Sequence, residues 1–171
     1  MEVLRTYLEI QDPGELLAGV PPAVASRTER MEACTASFAR WLYVEVGRPY
    51  AWVDRLAWTD EEHRSRLADP EVSVWLFMVG AAPAGYFELQ SDAEGSVEIC
   101  YFGLLPEFMG QGLGRKLLSD AVTAAFGLGA RRVWLHTCSL DDPKALPNYL
   151  ARGFRAFKSE TYTIEASHLD G

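Results

Sequence analysis

The amino-acid sequence predicts a mixed α/β fold of the α+β kind, built around one central sheet. Strand-like and helix-like segments both occur at each end of the chain. Three consecutive strand-like segments, VSVWLFMVG, AGYFELQ and SVEICYFGLL, occupy its middle, which is typical of an antiparallel meander. A glycine-rich loop, a helical pattern and another strand-like segment follow, in the order of a strand-helix-strand crossover.

The N-terminal third predicts one strand and two helices. Residues 6–10, TYLEI, have strand-like content. In the segment TDEEHRSRLADP, Thr59 is a suitable N-cap, acidic residues follow it and Pro70 lies past the end, so we expect a short, solvated surface helix. A longer helix over 31–46 is predicted by apolar residues at helical spacing, namely Met31, Cys34, Phe38, Trp41, Leu42 and Val46.

The C-terminal half predicts two helices and two or three strands. RRVWLHTC predicts a strand, and PKALPNYLAR predicts a short helix that ends before Gly153. Residues 154–166, FRAFKSETYTIEA, predict one or two closing strands. The helix after the glycine-rich loop has one apolar face, formed by Leu113, Leu117, Leu118, Val122, Ala125 and Phe126.

Length and composition predict one domain over residues 1–171. No apolar run approaches the roughly eighteen residues of a bilayer crossing, and MEVLRTYLEI lacks a signal-peptide pattern, so we expect no membrane partner and a cytoplasmic location.

The formal net charge of -8 opposes binding to nucleic acid and mildly favours a cationic substrate. Cys34, Cys100 and Cys138 are far apart and form no cysteine-histidine cluster, which predicts reduced thiols and no metal site.

The glycine-rich loop FMGQGLGRKLL, residues 108–118, predicts an anion site. The first N–H groups of the following helix have no partner within that helix, and they point beyond its start. Gly110, Gly112 and Gly114 carry no side chains that would keep a phosphate from the backbone, while Arg115 and Lys116 add positive charge. The sequence does not match the P-loop motif. Dinucleotide binding stays a minor alternative, because the glycine spacing is GxGxG rather than GxGxxG.

Two segments, SVEICYFGLLPEFMGQGLGRKLL and ALPNYLARGF, together resemble the signature of the GNAT superfamily of acetyl-CoA-dependent N-acetyltransferases. Gly112 and Gly114 fall on the motif glycines of the first segment, but Met109 stands where Arg or Gln is usual. Asp142, before the second segment, stands where Asn is common. The second segment matches the family's last motif at Ala145, Tyr149, Gly153 and Phe154.

The resemblance implies a mixed, mostly antiparallel twisted sheet of six to seven strands, flanked by about four helices and splayed at the coenzyme A site. It implies acetyl-CoA as cosubstrate and a small-molecule or peptidyl amine as acceptor; we expect a monomer or homodimer. The backbone amides of about Gln111 to Arg115 would hold the pyrophosphate. The residues assigned to coenzyme A are Phe102, Leu104, Gln111, Gly112, Leu113, Gly114, Arg115 and Asp142.

Glu98 is the candidate general base, because VEICYFGL is similar to the strand that carries the catalytic glutamate in the histone acetyltransferase branch. Alternation along the strand predicts that Glu98 faces away from Val97 and Ile99, on the side of Cys100, Phe102 and Leu104. Proton transfer from an ammonium of pKa about 10.4 to a carboxylate of pKa about 4.3 is uphill by roughly 8 kcal/mol, so burial must raise the pKa of Glu98 or waters must relay the proton. A glutamate paired with an arginine is the alternative.

Tyr149 is the candidate acid, since the resemblance places it at the family's motif tyrosine. A phenol of pKa about 10 would protonate a thiolate of pKa about 8.5 at a cost of only about 2 kcal/mol. A buried core tyrosine is the alternative. The backbone N–H of Leu104, at the strand end where the family opens its sheet, is the expected donor to the thioester oxygen.

The remaining polar and aromatic residues have structural interpretations. We expect His136 to be structural, Cys138 not to be a nucleophile, and Asp141 and Asp142 to cap the last helix. Most rings of the N-terminal third should be core, while one or two could line an acceptor pocket: Trp41, Tyr43, Tyr50, Trp52 and Trp58.

The predicted function is acetyl transfer from acetyl-CoA to a primary amine, directly and through a ternary complex. The alternative is a catalytically silent acyl-CoA-binding or sensing module on the same fold. The identity of the amine is left open, because fold and cofactor do not decide it.

Overall fold

The structure is a computed structural model of the chain and describes residues 1–50 and 52–163. Within those residues lie seven strands and four α-helices. In chain order they are β1 (Glu2–Ile10), β2 (Arg27–Arg30), α1 (Ala36–Gly47), α2 (Asp60–Ala68), β3 (Val72–Val79), β4 (Ala82–Ser91), β5 (Ser96–Leu104), α3 (Leu113–Gly127), β6 (Arg132–Cys138), α4 (Ala145–Ala151) and β7 (Arg155–Thr163).

The strands form one sheet in the order β2-β3-β4-β5-β6-β1-β7. Only the pair of β5 and β6 is parallel; the other described neighbours are antiparallel. The parallel pair is joined by the crossover helix α3, because parallel neighbours cannot be joined by a tight hairpin. The prediction of a mixed, mostly antiparallel sheet with about four helices is confirmed. Residues 164–166 of the predicted closing segment lie outside the described part of the chain.

Strand β1 lies between the last two strands of the chain. Leu8 pairs with Leu135 of β6 on one side and with Ala156 of β7 on the other. The N-terminal strand therefore joins β7 to the rest of the sheet. This insertion also places side chains from the start of the chain beside β6, where the cavity described below lies.

The first helix is shorter than predicted. Thr35 is its N-cap, and its hydroxyl accepts a hydrogen bond from the Phe38 N–H at 3.3 Å. Met31 and Cys34 precede the helix, so the prediction that it spans 31–46 is wrong at its start. The strand Arg27–Arg30 was not predicted, since its sequence RTER has no apolar residue at alternating positions.

Two apolar clusters hold the layers together, one on each face of the sheet. On one face, α3 buries Leu113, Leu117, Leu118, Val122 and Ala125 against the strands. On the other face, Leu42 and Val46 of α1 pack on Val74 and Tyr86. None of the helices in the described residues combines the length and apolar composition needed to cross a membrane.

The sheet opens between β5 and β6. Their pairing is limited to three residue pairs, of which Glu98 with Trp134 is the last. Beyond it β5 continues along β4 as far as Leu104, while β6 continues along β1 as far as Cys138. The two strands therefore diverge and leave a cleft that exposes the edge of β5. The predicted splay is present.

Candidate active site

A cavity of about 1240 Å³ occupies the opening between β5 and β6. Its walls come from β5, the glycine-rich loop, the segment that follows β6, helix α4 and the loop before α2. Most predicted site residues line it, namely Glu98, Phe102, Leu104, Gly112, Gly114, Arg115, Asp142 and Tyr149. Gln111 and Leu113 do not. The Gln111 amide donates to the Glu107 carbonyl at 3.3 Å. The Leu113 side chain is fully buried in the core, so this residue could contribute only its backbone.

Strand β5 contains a bulge that corrects the predicted orientation of its side chains. Tyr101 pairs with Glu88 but Ile99 pairs with Leu89, so Cys100 is an extra residue that has no partner on β4. Alternation is interrupted there. Glu98 therefore shares its face with Tyr101, whereas Phe102 and Leu104 belong to the core face covered by α3. The expectation that Glu98, Phe102 and Leu104 share one face is wrong; they meet at the same cavity only because the sheet is open there.

The backbone N–H of Leu104 points into the cleft. The neighbouring Leu105 N–H donates to the Ala84 carbonyl at 2.8 Å, so Leu105 and Ala84 form a hydrogen-bonded pair. Because such pairs alternate along an antiparallel ladder, the next pair, Gly85 with Leu104, is of the non-hydrogen-bonded type. Its N–H groups point away from the partner strand. The Leu104 N–H consequently lies on the β5 edge that β6 has left.

The glycine-rich loop forms a cradle at the start of α3. Gly110 and Gly112 have φ of 75° and 76°, and Gly112 is the N-cap residue of the 15-residue helix. A Cβ added to Gly112 would lie 2.7 Å from Nη2 of Arg115, whose side chain turns back over the loop. Nε of Arg115 is buried and has no hydrogen-bond partner among the described residues. A helix N-terminus, a bare backbone and an unpaired guanidinium nitrogen fit an anionic group such as the coenzyme A pyrophosphate.

Two residues beside this cradle make contacts that the sequence did not predict. Lys116 forms an ion pair with Asp120 on the same helix, so its charge is compensated and does not simply add to that of the loop. Met109 replaces the usual polar residue and accepts a weak hydrogen bond from the Tyr50 hydroxyl at 3.7 Å through its sulfur. The loop entrance is therefore held by a thioether-phenol contact.

Glu98 is partly buried at the point where the strands separate. Burial raises the pKa of its carboxyl, and the carboxylate of Glu88 raises it further, although Arg66 and Cys100 act in the opposite direction. Its Oε1 lies 4.0 Å from Nε2 of His136, and within the described residues it forms no ion pair with an arginine. A raised pKa and access to the cavity are what a proton acceptor at this position needs.

Tyr149 lies on α4 with its ring between Phe102 and Phe154, at centroid distances of 6.2 and 6.1 Å. It is 8% exposed and lines the cavity. Burial raises the pKa of its phenol, and the carboxylate of Asp141 adds to the shift. The phenol therefore stays protonated at neutral pH.

The two aspartates before α4 act in different ways. Asp142 accepts a hydrogen bond from the Lys144 N–H at 2.8 Å, in the turn that leads to the helix. Asp141 instead accepts from the Thr137 hydroxyl at 2.5 Å and from the Cys138 N–H at 2.8 Å. The N-cap residue of α4 is Lys144, which makes no side-chain cap. The prediction that both aspartates cap this helix is wrong, because Asp141 closes the end of β6.

Three charged residues that the sequence did not single out form a buried ion cluster beside the cavity. Both Nη atoms of Arg55 donate to the Glu88 carboxylate, at 2.7 and 2.8 Å. Arg66 donates to the same carboxylate through Nε at 2.8 Å and Nη2 at 2.6 Å. Burial alone would raise the pKa of Glu88, but the two arginines outweigh it and hold the pKa below its usual value.

The second helix is therefore not simply a solvated surface helix. Arg66 reaches inward from it, and His63 is only 3% exposed against Trp58. No spacing in the sequence links Arg55, Arg66 and Glu88, since they come from a loop, a helix and a strand. Only the alternation of AGYFELQ, which places Glu88 among apolar residues, hinted at a buried charge.

Aromatic residues around the cavity enclose the guanidinium group of Arg55. The guanidinium carbon of Arg55 lies 4.3 Å from the Tyr101 ring centroid and 4.5 Å from that of Trp58. Tyr50, Trp52 and Trp58 line the cavity, while Trp41 stacks on Phe38 away from it. An aromatic cage for a cation is thus present, and Arg55 fills it.

His136 and Cys138 also line the cavity. Burial lowers the pKa of His136, and the charge of Arg5 lowers it further, so the imidazole is neutral at neutral pH. Burial raises the pKa of the Cys138 thiol, which disfavours the nucleophilic thiolate. The described residues contain no cluster of histidine, cysteine, aspartate or glutamate that could hold a metal ion.

Several solved structures share this fold. A GCN5-related N-acetyltransferase from Kribbella flavida superposes with a TM-score of 0.65 at 21% identity, over 92% of this chain and 56% of that chain. One from Sphaerobacter thermophilus gives 0.67 at 18% identity, over 92% and 49%. The ribosomal-protein-S18-alanine N-acetyltransferase from Escherichia coli gives 0.58 at 16% identity, over 75% and 77%. The chain spans about half the length of the first two structures, and at these identities the likeness concerns the fold alone.

Comparison with curated proteins gives no match. The profile of the acetyltransferase (GNAT) family matches residues 35–154, most of the chain. The matched range runs from the N-cap of α1 to the end of the segment ALPNYLARGF and includes every predicted site residue. The chain therefore belongs to the acetyltransferase (GNAT) family.

Proposed function

We propose that the protein transfers an acetyl group from acetyl-CoA to a primary amine, directly and within a ternary complex, and that residues 1–171 act as one acetyltransferase domain. One observation supports this most: the divergence of β5 and β6 brings Glu98, the free N–H edge of β5, the glycine cradle and Tyr149 to a single cavity. The three strands outside the family match, β1, β2 and β7, belong to the same sheet.

Coenzyme A would bind along the open edge of β5. The cradle at Gly112 and Gly114, with the turned-back Arg115, would hold the pyrophosphate; Phe102, Leu104 and Asp142 line the path toward the cleft. Acetyl-CoA supplies an acetyl group activated as a thioester. The Leu104 N–H, on the open edge of β5, would donate a hydrogen bond to the thioester oxygen and so stabilise the negative charge that develops on it.

Glu98 would accept the proton that the ammonium form of the acceptor must lose. Its raised pKa reduces the free-energy gap to an ammonium group, which is roughly 8 kcal/mol for an unperturbed pair.

Tyr149 would hold a proton at Oη and donate it to the departing thiolate. Because its own pKa is raised, Tyr149 is protonated throughout the working pH range, but the uphill step exceeds the roughly 2 kcal/mol of an unperturbed phenol. Donation must therefore accompany departure rather than precede it.

A thiol-release assay with acetyl-CoA and a panel of primary amines, both small molecules and peptides, tests the proposal. We expect turnover with some members of the panel, and release without an amine at a much lower rate. Binding of coenzyme A with no turnover on any amine would instead indicate a silent acyl-CoA-binding module. A rise in melting temperature with NAD but not with coenzyme A would indicate a dinucleotide site.

A further inference from the structure

Arg5 is a cation in the cavity that the proposed chemistry does not use. It belongs to β1, pairs with Cys138 of β6 and lines the cavity together with Glu98 and His136. Its guanidinium carbon lies 4.6 Å from the ring centroid of Tyr162, which orients the side chain. Nε of Arg5 is buried and, among the described residues, has no hydrogen-bond partner.

The nearest described carboxylate is already engaged elsewhere. Glu160 approaches Nη1 of Arg5 only to 3.8 Å. Its Oε1 accepts the Tyr7 hydroxyl at 2.5 Å and its Oε2 contacts Nζ of Lys158 at 2.9 Å. Burial opposes the charge of Arg5, but the hydroxyls of Tyr7 and Tyr162 raise its pKa, so the guanidinium remains charged. Arg5 therefore presents a positive charge whose carboxylate partner is shared and distant.

Apart from Glu98, the acidic side chains among the described residues of the cavity wall also have partners. Asp141 accepts from Thr137 and Cys138, Asp142 accepts from Lys144, and Asp54 accepts from the Tyr101 hydroxyl at 3.4 Å. Among the described residues, the wall carries five basic and four acidic side chains, in a protein of net charge -8. The cavity therefore does not share the negative character of the whole molecule.

We infer that the acceptor amine carries a carboxylate, and that Arg5 binds this carboxylate while the amine lies at Glu98. This inference rests on the proposed acetyl transfer and specifies its substrate class. A guanidinium offers the forked donors that match a carboxylate, and an unpaired buried N–H is stabilised when an anion fills the space beside it. Arg5 touches the acceptor in this arrangement and is a specificity residue rather than a catalytic one.

The sheet register determines how far apart Glu98 and Arg5 lie, and therefore how long such an acceptor must be. Glu98 pairs with Trp134, and Arg5 pairs with Cys138, four residues further along β6 and one strand beyond it. At about 3.3 Å per residue this is roughly 13 Å along the strand, and the two steps from β5 across β6 to β1 add about 10 Å across the sheet. The two side chains shorten this separation from both sides. An amine and a carboxylate on the same carbon are too close together to reach both groups. We therefore expect a longer acceptor, such as an ω-amino acid or a short peptide.

The test compares 6-aminohexanoate with 6-aminohexanamide, which has the same length and the same amine but no negative charge. Calorimetric binding in the presence of coenzyme A and turnover with acetyl-CoA are measured for both probes. For the wild-type protein we expect the acid to be preferred in both measurements. Arg5→Gln should lower both the binding affinity and kcat/KM for the acid by roughly tenfold to a hundredfold. The same two quantities should change little for the amide.

Lys158→Gln is the matched control. It removes one positive charge from the neighbouring strand β7, beside the same Glu160, but Lys158 does not line the cavity. The preference for the acid should survive in this variant, and coenzyme A should raise the melting temperature of all three proteins equally. Equal binding of acid and amide to the wild type, or a preference that persists in Arg5→Gln, would overturn the inference. Because binding is measured without turnover, a lack of activity on every amine would count against the proposed acetyl transfer and leave this comparison decisive.

Discussion

The Oε1 atom of Glu98 lies 4.0 Å from Nε2 of His136, across the gap where β5 and β6 separate. The distance is too long for a direct hydrogen bond and is compatible with one bridging water. Burial raises the pKa of the carboxyl and lowers that of the imidazole. The imidazole is therefore uncharged at neutral pH, so the negative charge that can accept a proton within this pair is that of the Glu98 carboxylate.

Glu98→Gln should lower kcat by about 10²- to 10⁴-fold, since it removes the proton acceptor but keeps the shape of the side chain. The carboxylate form is the active one, so wild-type activity should fall as the pH decreases through the pKa of Glu98, which lies above that of an ordinary glutamate. The variant should lose this acid limb. A pH profile of kcat/KM from thiol release measures it.

His136→Gln separates the two possible sources of that limb. If Glu98 alone is responsible, this variant retains an acid limb even when its rate is reduced. Loss of the limb in His136→Gln together with an unchanged profile in Glu98→Gln would assign the titration to the histidine and reject Glu98 as the base.

Tyr149→Phe should slow the chemical step by about a hundredfold while coenzyme A binds nearly as tightly as before, because only the phenolic O–H is lost. Single-turnover kinetics and calorimetry with coenzyme A measure the two quantities separately. Tyr50→Phe removes another hydroxyl from the same cavity, one that contacts Met109, and should have a much smaller effect on the chemical step. Equal effects of the two variants would exclude a specific acid role for Tyr149.

Local sequence patterns were sufficient to predict the glycine cradle, and the resemblance to the GNAT family singled out Tyr149, which lines the cavity. A glycine-rich turn before a helix and a motif within one helix depend on neighbours in sequence, so their geometry follows from local rules. Glu98 was also placed correctly at the cavity. Phe102 and Leu104 were expected on the same face of the strand as Glu98, and this was wrong. The bulge at Cys100 interrupts the alternation and moves both residues to the opposite face.

Features that depend on contacts between distant segments could not be predicted. Nothing in TYLEI indicates that β1 lies between β6 and β7, and this insertion is what places Arg5 in the cavity. The cluster of Arg55, Arg66 and Glu88 joins a loop, a helix and a strand, so no periodicity reveals it. The ion cluster can be recognised only from the three-dimensional structure, in which these segments come together.

Gly112→Val should weaken coenzyme A binding at least tenfold. The new side chain would fill the cradle and displace Arg115, whose Nη2 lies 2.7 Å from the position of an added Cβ. Part of any effect would come from backbone strain at φ of 76°. Gly80→Val controls for this strain, since Gly80 has φ of 60° in the β3–β4 turn, away from the cavity, with no atom within 4 Å of an added Cβ.

Both glycine variants should lose stability by a similar amount of about 1–2 kcal/mol, because a side chain in the left-handed region is strained in either turn. Only Gly112→Val should also lose affinity for coenzyme A in calorimetry. Undiminished binding by a folded Gly112→Val protein would reject the loop as the pyrophosphate site.

Glu88→Gln should lower the free energy of unfolding at pH 7 by about 3 kcal/mol, because it leaves Arg55 and Arg66 buried without a counter-charge. The folded-state pKa of Glu88 lies below its unfolded value of about 4.3, so its carboxylate stabilises the fold above that pH. This contribution is lost as the pH falls through the folded-state pKa. The stabilities of wild type and variant should therefore converge at low pH.

Urea unfolding followed by tryptophan fluorescence, repeated between pH 7 and pH values below about 4, measures this convergence. The exposed Glu32, whose side chain is 78% accessible, gives the matched control: Glu32→Gln should change stability by less than about 0.5 kcal/mol at every pH. A difference between wild type and Glu88→Gln that stays constant with pH would show that the carboxylate charge is not what stabilises the cluster. The loss would then have to come from packing around the two guanidinium groups.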